Sequence, residues 1–196
     1  MNVNKPTDAK YAKKAIVINI IGGPGTGKSI ITADVFAALK RKYISCEISA
    51  EYIKKKLREQ ALKAVQSQIY IFAKQQFQLF TLKDDVEVTV TDSPIILSAI
   101  YDRTKCEHLK ALILKEHRKY KNMNYYIERD PKAEYEQEGR YQDLEGAKKV
   151  DDDVKKFLKK NKIKHKVLYG IGKDSLDTIV NDVVKKLKKR KKNDKR

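Results

Sequence analysis

Residues 22–29, with the sequence GGPGTGKS, have the types and spacing that most directly predict chemistry. They match the phosphate-binding pattern G-x-x-x-x-G-K-[ST] at every fixed position. Glycines lack a Cβ and allow the backbone N–H groups of the loop to point at phosphate oxygens. Lys28 can reach the β- and γ-phosphates, and the Ser29 hydroxyl can ligate Mg²⁺. No guanine-reading N-K-x-D sequence is present, which favours ATP. We therefore expect ATP to be bound by consecutive residues: Gly22, Gly23, Pro24, Gly25, Thr26, Gly27, Lys28, Ser29 and Ile30.

Asp92 is a candidate metal ligand from a second element. It directly follows the run VEVTVT, which is typical of a strand, and open α/β sheets bind ligands beyond the carboxyl ends of their strands. A carboxylate at this point can hold the Mg²⁺ of a bound nucleotide, together with Ser29. As an alternative, Asp92 or Ser93 caps a helix opened by Pro94, and the two roles are compatible.

Glu47 and Glu51 are candidates for the group that orients a phosphoryl acceptor. Both lie in or just after the second predicted strand, where a carboxylate can accept the proton of an acceptor hydroxyl and align its oxygen. We favour Glu51 because it lies beyond the strand and opens a helix, with Asp92 as the second choice. As an alternative, Glu51 is an acid in the first helical turn, where it is favoured by the helix dipole.

Arg129 and Arg140 flank a polar loop after the fourth predicted strand. Arginine is scarce in this chain, with 8 arginines against 36 lysines. A loop that closes over a nucleotide needs fixed positive charge near the transferring phosphoryl group, and a guanidinium supplies it with directional donors. We therefore assign both arginines as phosphate clamps. The alternative is a solvated loop whose arginines pair with its acids.

The elements that position these residues alternate between strands and helices. Apolar runs predict strands at 15–21, 43–48, 86–91, 124–128 and 164–169. Helical spacing predicts helices at 29–41, 51–83, 94–101, 107–120, 144–161 and 175–189, the last capped by Asp174 or Ser175. This alternation predicts a three-layer α/β domain with a five-stranded parallel sheet in the order 2-3-1-4-5.

Positive charge is concentrated at the C-terminus. The net charge is +18, and residues 185–196 carry nine basic side chains and one acid. We expect a basic extension at 1–14, a P-loop domain at 15–184 and a basic tail at 185–196, exposed and mobile from Arg190 onward. The lysine excess either attracts a polyanion such as DNA through its phosphates or reflects coding bias.

Composition excludes several classes of protein. With 41% hydrophobic and 36% charged residues, the chain is typical of a folded domain. No apolar run approaches the roughly 18 residues of a membrane span, and the first 14 residues lack the apolar core of an export signal. Cys46 and Cys106 form no metal-binding or disulfide pattern. We expect a cytoplasmic protein with no membrane partner.

The intermediate segments carry a resemblance that covers residues from about 15 to 170. The chain resembles a group of phage-encoded P-loop proteins of the AAA type, related to the ribosylnicotinamide kinase domain of NAD-regulator proteins. The resemblance rests on GGPGTGKS, AEYIK at 50–54, QIYIFAKQ at 68–75, TDSP at 91–94 with Leu97 and Tyr101, GRYQ at 139–142, and Ala147, Val150 and Asp151.

Some members of this group resemble kinases that phosphorylate 5-hydroxymethyl pyrimidines in phage DNA. The resemblance thus implies an ATP- and Mg²⁺-dependent kinase that transfers the γ-phosphoryl group to a hydroxymethyl oxygen of a base within DNA. Two alternatives are open. The first is a kinase for a free nucleoside such as ribosylnicotinamide, and the second is an ATP-hydrolysing switch that has no phosphoryl acceptor.

Overall fold

The computed structural model describes residues 15–50, 66–131, 135 and 143–193. Several sequence-based predictions fall outside these ranges: the extension at 1–14, Glu51 with the first half of its predicted helix, Arg140 with most of its loop, and residues 194–196. The structural statements below concern the described residues only.

The central strand is the apolar run that precedes the glycine-rich loop. All six residues of β1 (Ile16–Ile21) are buried. β1 pairs in parallel with β3 (Val88–Thr91) on one side and with β4 (Lys121–Glu128) on the other. β2 (Cys46–Ser49) pairs with β3, and β5 (Lys166–Tyr169) pairs with β4. The predicted five-stranded parallel sheet in the order 2-3-1-4-5 is confirmed.

Helices cover both faces of this sheet, which explains why β1 is apolar on both sides. The helices of the described ranges are α1 (Lys28–Arg41), α2 (Gln68–Leu82), α3 (Leu97–Tyr101), α4 (Glu107–Arg118), α5 (Leu144–Lys160) and α6 (Lys173–Asn193). Ile16, Ile18 and Ile20 belong to a core with α1 and α6. Val17 and Ile21 belong to a second core with the remaining four helices.

Some element boundaries differ from the predicted ones. The second strand was predicted from residue 43, but it begins at Cys46 because Tyr43 is 97% exposed and turns the chain with a φ of 56°. The last helix begins at Lys173, so Asp174 and Ser175 lie in its first turn instead of capping it. The Ser175 hydroxyl donates to the Gly170 carbonyl over 2.9 Å.

The basic C-terminal segment is partly structural. α6 continues to Asn193, and Leu187 is a buried member of the core. Arg190 is partly buried, which corrects the expectation of full exposure from this position, and burial lowers the pKa of its guanidinium despite the nearby charge of Glu87. The Lys191 ammonium lies 3.6 Å from the Glu87 carboxylate. Much of this positive charge is therefore held on a packed helix.

Candidate active site

The glycine-rich loop joins the end of β1 to the start of α1, where parallel strands present their carboxyl ends. Gly27 precedes the first residue of α1 with a φ of 79°, a left-handed conformation that a side chain disfavours. The first turn of α1 contains no acidic residue that would oppose an anion. The unbonded N–H groups and positive dipole end of a helix attract phosphate. This geometry suits a triphosphate, with Ser29 and Ile30 exposed at the helix start.

Two side chains of the loop converge on one carbonyl. The Lys28 ammonium donates to the Gly23 carbonyl oxygen over 2.6 Å, and the Thr26 hydroxyl donates to the same oxygen over 3.1 Å. The Lys28 side chain therefore lies against the glycine-rich loop. Its long, flexible stem allows the ammonium to exchange this carbonyl for phosphate oxygens when a nucleotide is bound.

The backbone N–H of Gly23 contacts a residue that sequence reasoning did not assign to the site. The Gly23 N–H donates to the Asp151 carboxylate over 2.9 Å, so this amide is turned toward α5. That orientation departs from the expectation that the loop amides point at phosphate. The only sequence signal for Asp151 was its membership in the resemblance, because its distance from the loop along the chain gives no pattern.

Arg129 lies at the loop, but its bonds are to protein. Its Nε–H donates to Asp151 over 2.6 Å, and a terminal N–H donates to the Pro24 carbonyl over 2.6 Å. Arg129 and Asp151 have side-chain exposures of 13% and 9%, so the ion pair is largely dry. The role of Arg129 as a phosphate clamp stays a prediction, as does that of Arg140, which lies outside the described residues.

Asp92 lies just beyond β3, next to the strand that leads into the phosphate loop. It is 7% exposed, and the pairing of Asn19 with Thr91 brings the end of β3 alongside β1. The following amide, that of Ser93, donates to the Thr91 hydroxyl over 3.1 Å, which fixes the turn. The carboxylate is therefore held at the carboxyl edge of the sheet, where its predicted metal role requires it.

The donor set fits Mg²⁺. Mg²⁺ prefers oxygen ligands and commonly binds through one or two protein groups together with substrate phosphates and water. The Ser29 hydroxyl and the Asp92 carboxylate are such groups. In the ranges that the structure covers, no group of three or more His, Cys, Asp or Glu side chains could hold a metal without a nucleotide. The metal assignment of Ser29 and Asp92 stays a prediction.

A neutral hydrogen-bond network lies beside Asp92, and sequence reasoning did not assign its members. Gln75 of α2 is 4% exposed; its amide nitrogen donates to the Ser93 hydroxyl, and its amide oxygen accepts from Ser98 over 3.4 Å. Nearby, the Ser49 hydroxyl at the end of β2 donates to Gln78 over 3.0 Å. The only sequence signal for Gln75 was its place in the segment QIYIFAKQ, which carries part of the resemblance.

Of the two candidate glutamates near β2, only Glu47 lies within the described residues. Glu47 is about half exposed and pairs with Lys40 over 3.1 Å on the outside of the domain. It therefore lies away from the phosphate loop. Glu51 lies just beyond the last described residue of this segment, Ala50, and its role as acceptor-orienting base stays a prediction.

Comparison with known proteins places the chain in a family. A profile of the AAA_28 family, described as an AAA domain, matches residues 17–171. The chain belongs to this family. A search of curated proteins gives no match. None of the helices in the described ranges combines the length and apolar character needed to cross a membrane.

Solved structures share the fold at low sequence identity. An NadR protein in complex with NR matches with a TM-score of 0.56 and 16% identity over 79% of this chain, which spans only 43% of the NadR chain. Thymidylate kinase from Ehrlichia chaffeensis matches with a TM-score of 0.55 and 16% identity, over 89% of this chain and 99% of the kinase. Deoxyadenosine kinase from M. mycoides, with dCMP among its products, matches at 0.50 and 16%, over 86% and 99%. The chain thus shares its fold with these three proteins, two of which are kinases.

Proposed function

We propose that the chain is an ATP-dependent kinase that phosphorylates the 5-hydroxymethyl group of a pyrimidine within DNA. The observation that carries the kinase part is the phosphate loop with Lys28, set one strand away from the buried carboxylate of Asp92. In-line phosphoryl transfer needs a nucleotide site beside an acceptor site. Here the glycine-rich loop follows β1, and acidic and polar side chains follow β3 and β2.

The proposed phosphoryl transfer needs only ATP and the acceptor hydroxyl as reactants. The acceptor hydroxyl oxygen forms a bond to the γ-phosphorus while the bond between that phosphorus and the β–γ bridging oxygen breaks, which leaves ADP. The hydroxyl proton passes to a carboxylate, for which Glu51 is the first candidate and Asp92 the second. Lys28 offsets charge on the β- and γ-phosphates, and bound Mg²⁺ would supply further neutralisation of the same oxygens.

A polymeric acceptor is favoured by a basic groove on the flank of the domain. This groove, of about 720 Å³, is bounded by α5, β4 and β5. Four exposed lysines line it, with His165: Lys155, Lys159, Lys162 and Lys164. Ile163 and Val167 add apolar surface between the charges. Phosphate backbones bind such lysines without regard to sequence, and sugars and bases pack against apolar surface.

The direction of the groove also suits a long ligand. α5 starts at the carboxyl edge of the sheet, where Asp151 contacts the phosphate loop, and runs back toward the start of β5. Lys155 lies one helical turn after Asp151 and pairs with Glu128 at the end of β4. A strand of DNA whose target base lies at the carboxyl edge can therefore continue along the groove. A free nucleoside has no phosphates to occupy it.

A nucleoside kinase is the second candidate, because the fold neighbours include an NadR protein in complex with NR and a deoxyadenosine kinase. The affinity for DNA, measured as a function of salt concentration, separates the two candidate functions. The variant K159Q/K162Q/K164Q should weaken binding of hydroxymethyl-containing DNA, with a log–log salt slope reduced by about 0.9 for each phosphate that the protein no longer neutralises.

The variant K188Q/K189Q/K192Q is the matched control, because it removes the same charge from three exposed lysines of α6 that do not line the groove. It should change the salt slope less than K159Q/K162Q/K164Q does. If the wild-type protein does not bind DNA, or if K159Q/K162Q/K164Q binds it as tightly as wild type at every salt concentration, the DNA part of the proposal is wrong and a free nucleoside becomes the favoured acceptor.

A further inference from the structure

Asp151 is a buried acid on the third turn of α5 whose two carboxylate oxygens have different partners. It is 6% exposed. One oxygen accepts the Gly23 N–H of the phosphate loop, and the other accepts the Nε–H of Arg129. Arg129 in turn donates to the Pro24 carbonyl. The carboxylate and guanidinium thus bond, from outside the loop, the two peptides on either side of the Gly23–Pro24 peptide.

The backbone of Gly23 connects this pair to Lys28. Its N–H bonds to Asp151, while its carbonyl accepts from Lys28 and Thr26. The Gly23 N–H and the Gly23 carbonyl belong to two planar peptide units that share the Gly23 Cα, and the Pro24 carbonyl bonded by Arg129 belongs to the unit after them. The unit that carries the Gly23 carbonyl is therefore held at both of its ends. The approach is also close: a Cβ on Gly23 would overlap the Asp151 carboxylate and would lie 3.0 Å from the Ala147 carbonyl.

The energetics of the ion pair between Asp151 and Arg129 favour a role in orienting the phosphate loop over a role in stabilising the fold alone. Desolvating two charges costs several kcal/mol each, and replacing a buried ion pair with apolar side chains is often neutral or stabilising. A charged pair held at the back of a phosphate loop is a costly way to stabilise a fold. It is an effective way to hold charge-assisted hydrogen bonds in a fixed direction, because such bonds are stronger and more directional than neutral ones.

We propose that Asp151 is a positioning residue for the phosphate loop, which it holds in its nucleotide-binding shape through Gly23 and Arg129. It acts through the loop and does not touch the reacting atoms. The inference rests on the proposed function only in requiring that the loop bind MgATP, and it is independent of the acceptor. α5 thereby becomes part of the nucleotide site, although it lies more than a hundred residues from the loop in sequence.

The test is MgATP affinity measured without acceptor, at a temperature well below the melting temperature of every variant. D151A should bind MgATP about 10- to 100-fold more weakly, the range expected when hydrogen bonds to a charged group are removed. D151N keeps an acceptor for Gly23 but turns an amide N–H₂ toward Arg129, and should bind roughly tenfold more weakly. R129A should resemble D151A, and the double variant should be no worse than either, because the residues act as one unit.

Y126F is the matched control. Tyr126 is 1% exposed, and its hydroxyl has no hydrogen-bond partner within the described residues. Burial raises the pKa of this phenol, and the nearby charge of Asp151 raises it further, so the hydroxyl shares the environment of the pair without bonding to it. Y126F should bind MgATP within about twofold of wild type.

Two results would overturn the positioning role. The first is a folded D151N or D151A protein with wild-type MgATP affinity, which would make Asp151 a packing residue whose removal lowers only the melting temperature. The second is additive effects in the D151A/R129A double variant, which would mean that the two residues act separately. A wild-type protein that fails to bind MgATP would overturn the nucleotide site itself, so the wild-type titration separates that failure from this one. If D151A does not fold, D151N decides the question.

Discussion

The carboxyl edge of the sheet has two sides that are built differently. On the side of β1 and β4, the phosphate loop is held by charged groups: Lys28, Arg129 and Asp151 all bond to loop peptides. On the side of β2 and β3, the buried acid Asp92 lies beside a network of neutral side chains, in which Gln75 bonds Ser93 and Ser49 bonds Gln78.

Under the proposed function, this difference matches what each side would recognise. A triphosphate presents the same oxygens in every ATP, so a charged scaffold that fixes backbone groups serves it well. An acceptor hydroxyl is neutral and belongs to a larger molecule whose shape must be read. Neutral donors and acceptors suit that task, because a ligand that leaves them unpaired is strongly disfavoured. We therefore expect variants on the two sides to affect different kinetic quantities.

The largest effect is expected on the nucleotide side, from Lys28. K28A should reduce phosphoryl transfer to the background of the assay while the melting temperature stays near that of wild type, because the ammonium contributes charge to the transition state and packs in no core. The measurement is transfer of labelled γ-phosphate. K40A is the matched control, since this lysine of the same helix pairs with Glu47 on the exterior. Near-normal turnover of K28A would remove the loop from the active centre.

Glu51 should give the next largest effect, on the acceptor side. E51Q should lower kcat by roughly 100- to 10,000-fold with MgATP affinity nearly unchanged, as expected when a general base is removed. E47Q is the control, because this glutamate is about half exposed and pairs with Lys40. An E51Q enzyme within a few-fold of wild type would shift the base assignment to Asp92.

Asp92 lies between the two sides and should affect both. D92N should lower kcat and raise the Mg²⁺ concentration needed for half-maximal rate, each by about 10- to 100-fold, because a neutral amide is a weaker ligand for a hard cation. The check is a titration of rate against Mg²⁺ at fixed ATP. A lowered rate with an unchanged Mg²⁺ requirement would assign Asp92 to the acceptor alone.

Gln75 should give the smallest effect of the four, and an effect confined to the acceptor side. Q75L removes a buried amide that bonds Ser93 and Ser98, and should raise KM for the acceptor several-fold while MgATP affinity is kept. Q76L is the control, since the neighbouring side chain faces Glu116 of α4 instead, at 3.4 Å. If Q75L weakened MgATP binding as much as acceptor binding, the two sides would not be separate.

Local sequence patterns were sufficient to predict the fold and the position of the glycine-rich loop between β1 and α1. The buried strand, the glycine-rich run and the helix that follows are contiguous, so their spacing carries the geometry, and the alternation of elements correctly predicted the strand order. Boundaries such as the start of β2 were less well predicted, because a single residue, Tyr43, turns the chain there.

The remote parts of the site could not be predicted in the same way. Asp151 reaches Gly23 only because β4 lies beside β1 and α5 returns across the sheet, and no spacing in the sequence encodes that contact. Gln75 is similar, since it lies in an amphipathic helix where a buried amide has no pattern of its own. Arg129 contacts the loop through Pro24 and bonds Asp151, and its predicted role as a phosphate clamp stays a prediction.

The central claim is that the chain transfers a phosphoryl group from ATP to a hydroxymethyl pyrimidine in DNA. It is tested most directly by incubating the protein with γ-labelled ATP and Mg²⁺ together with four acceptors in parallel: hydroxymethyl-containing DNA, unmodified DNA, free nucleosides including ribosylnicotinamide, and water alone. We predict label in the hydroxymethyl-containing DNA, none in unmodified DNA, and none in any sample with K28A. Label confined to a free nucleoside, or released only as inorganic phosphate, would contradict the claim.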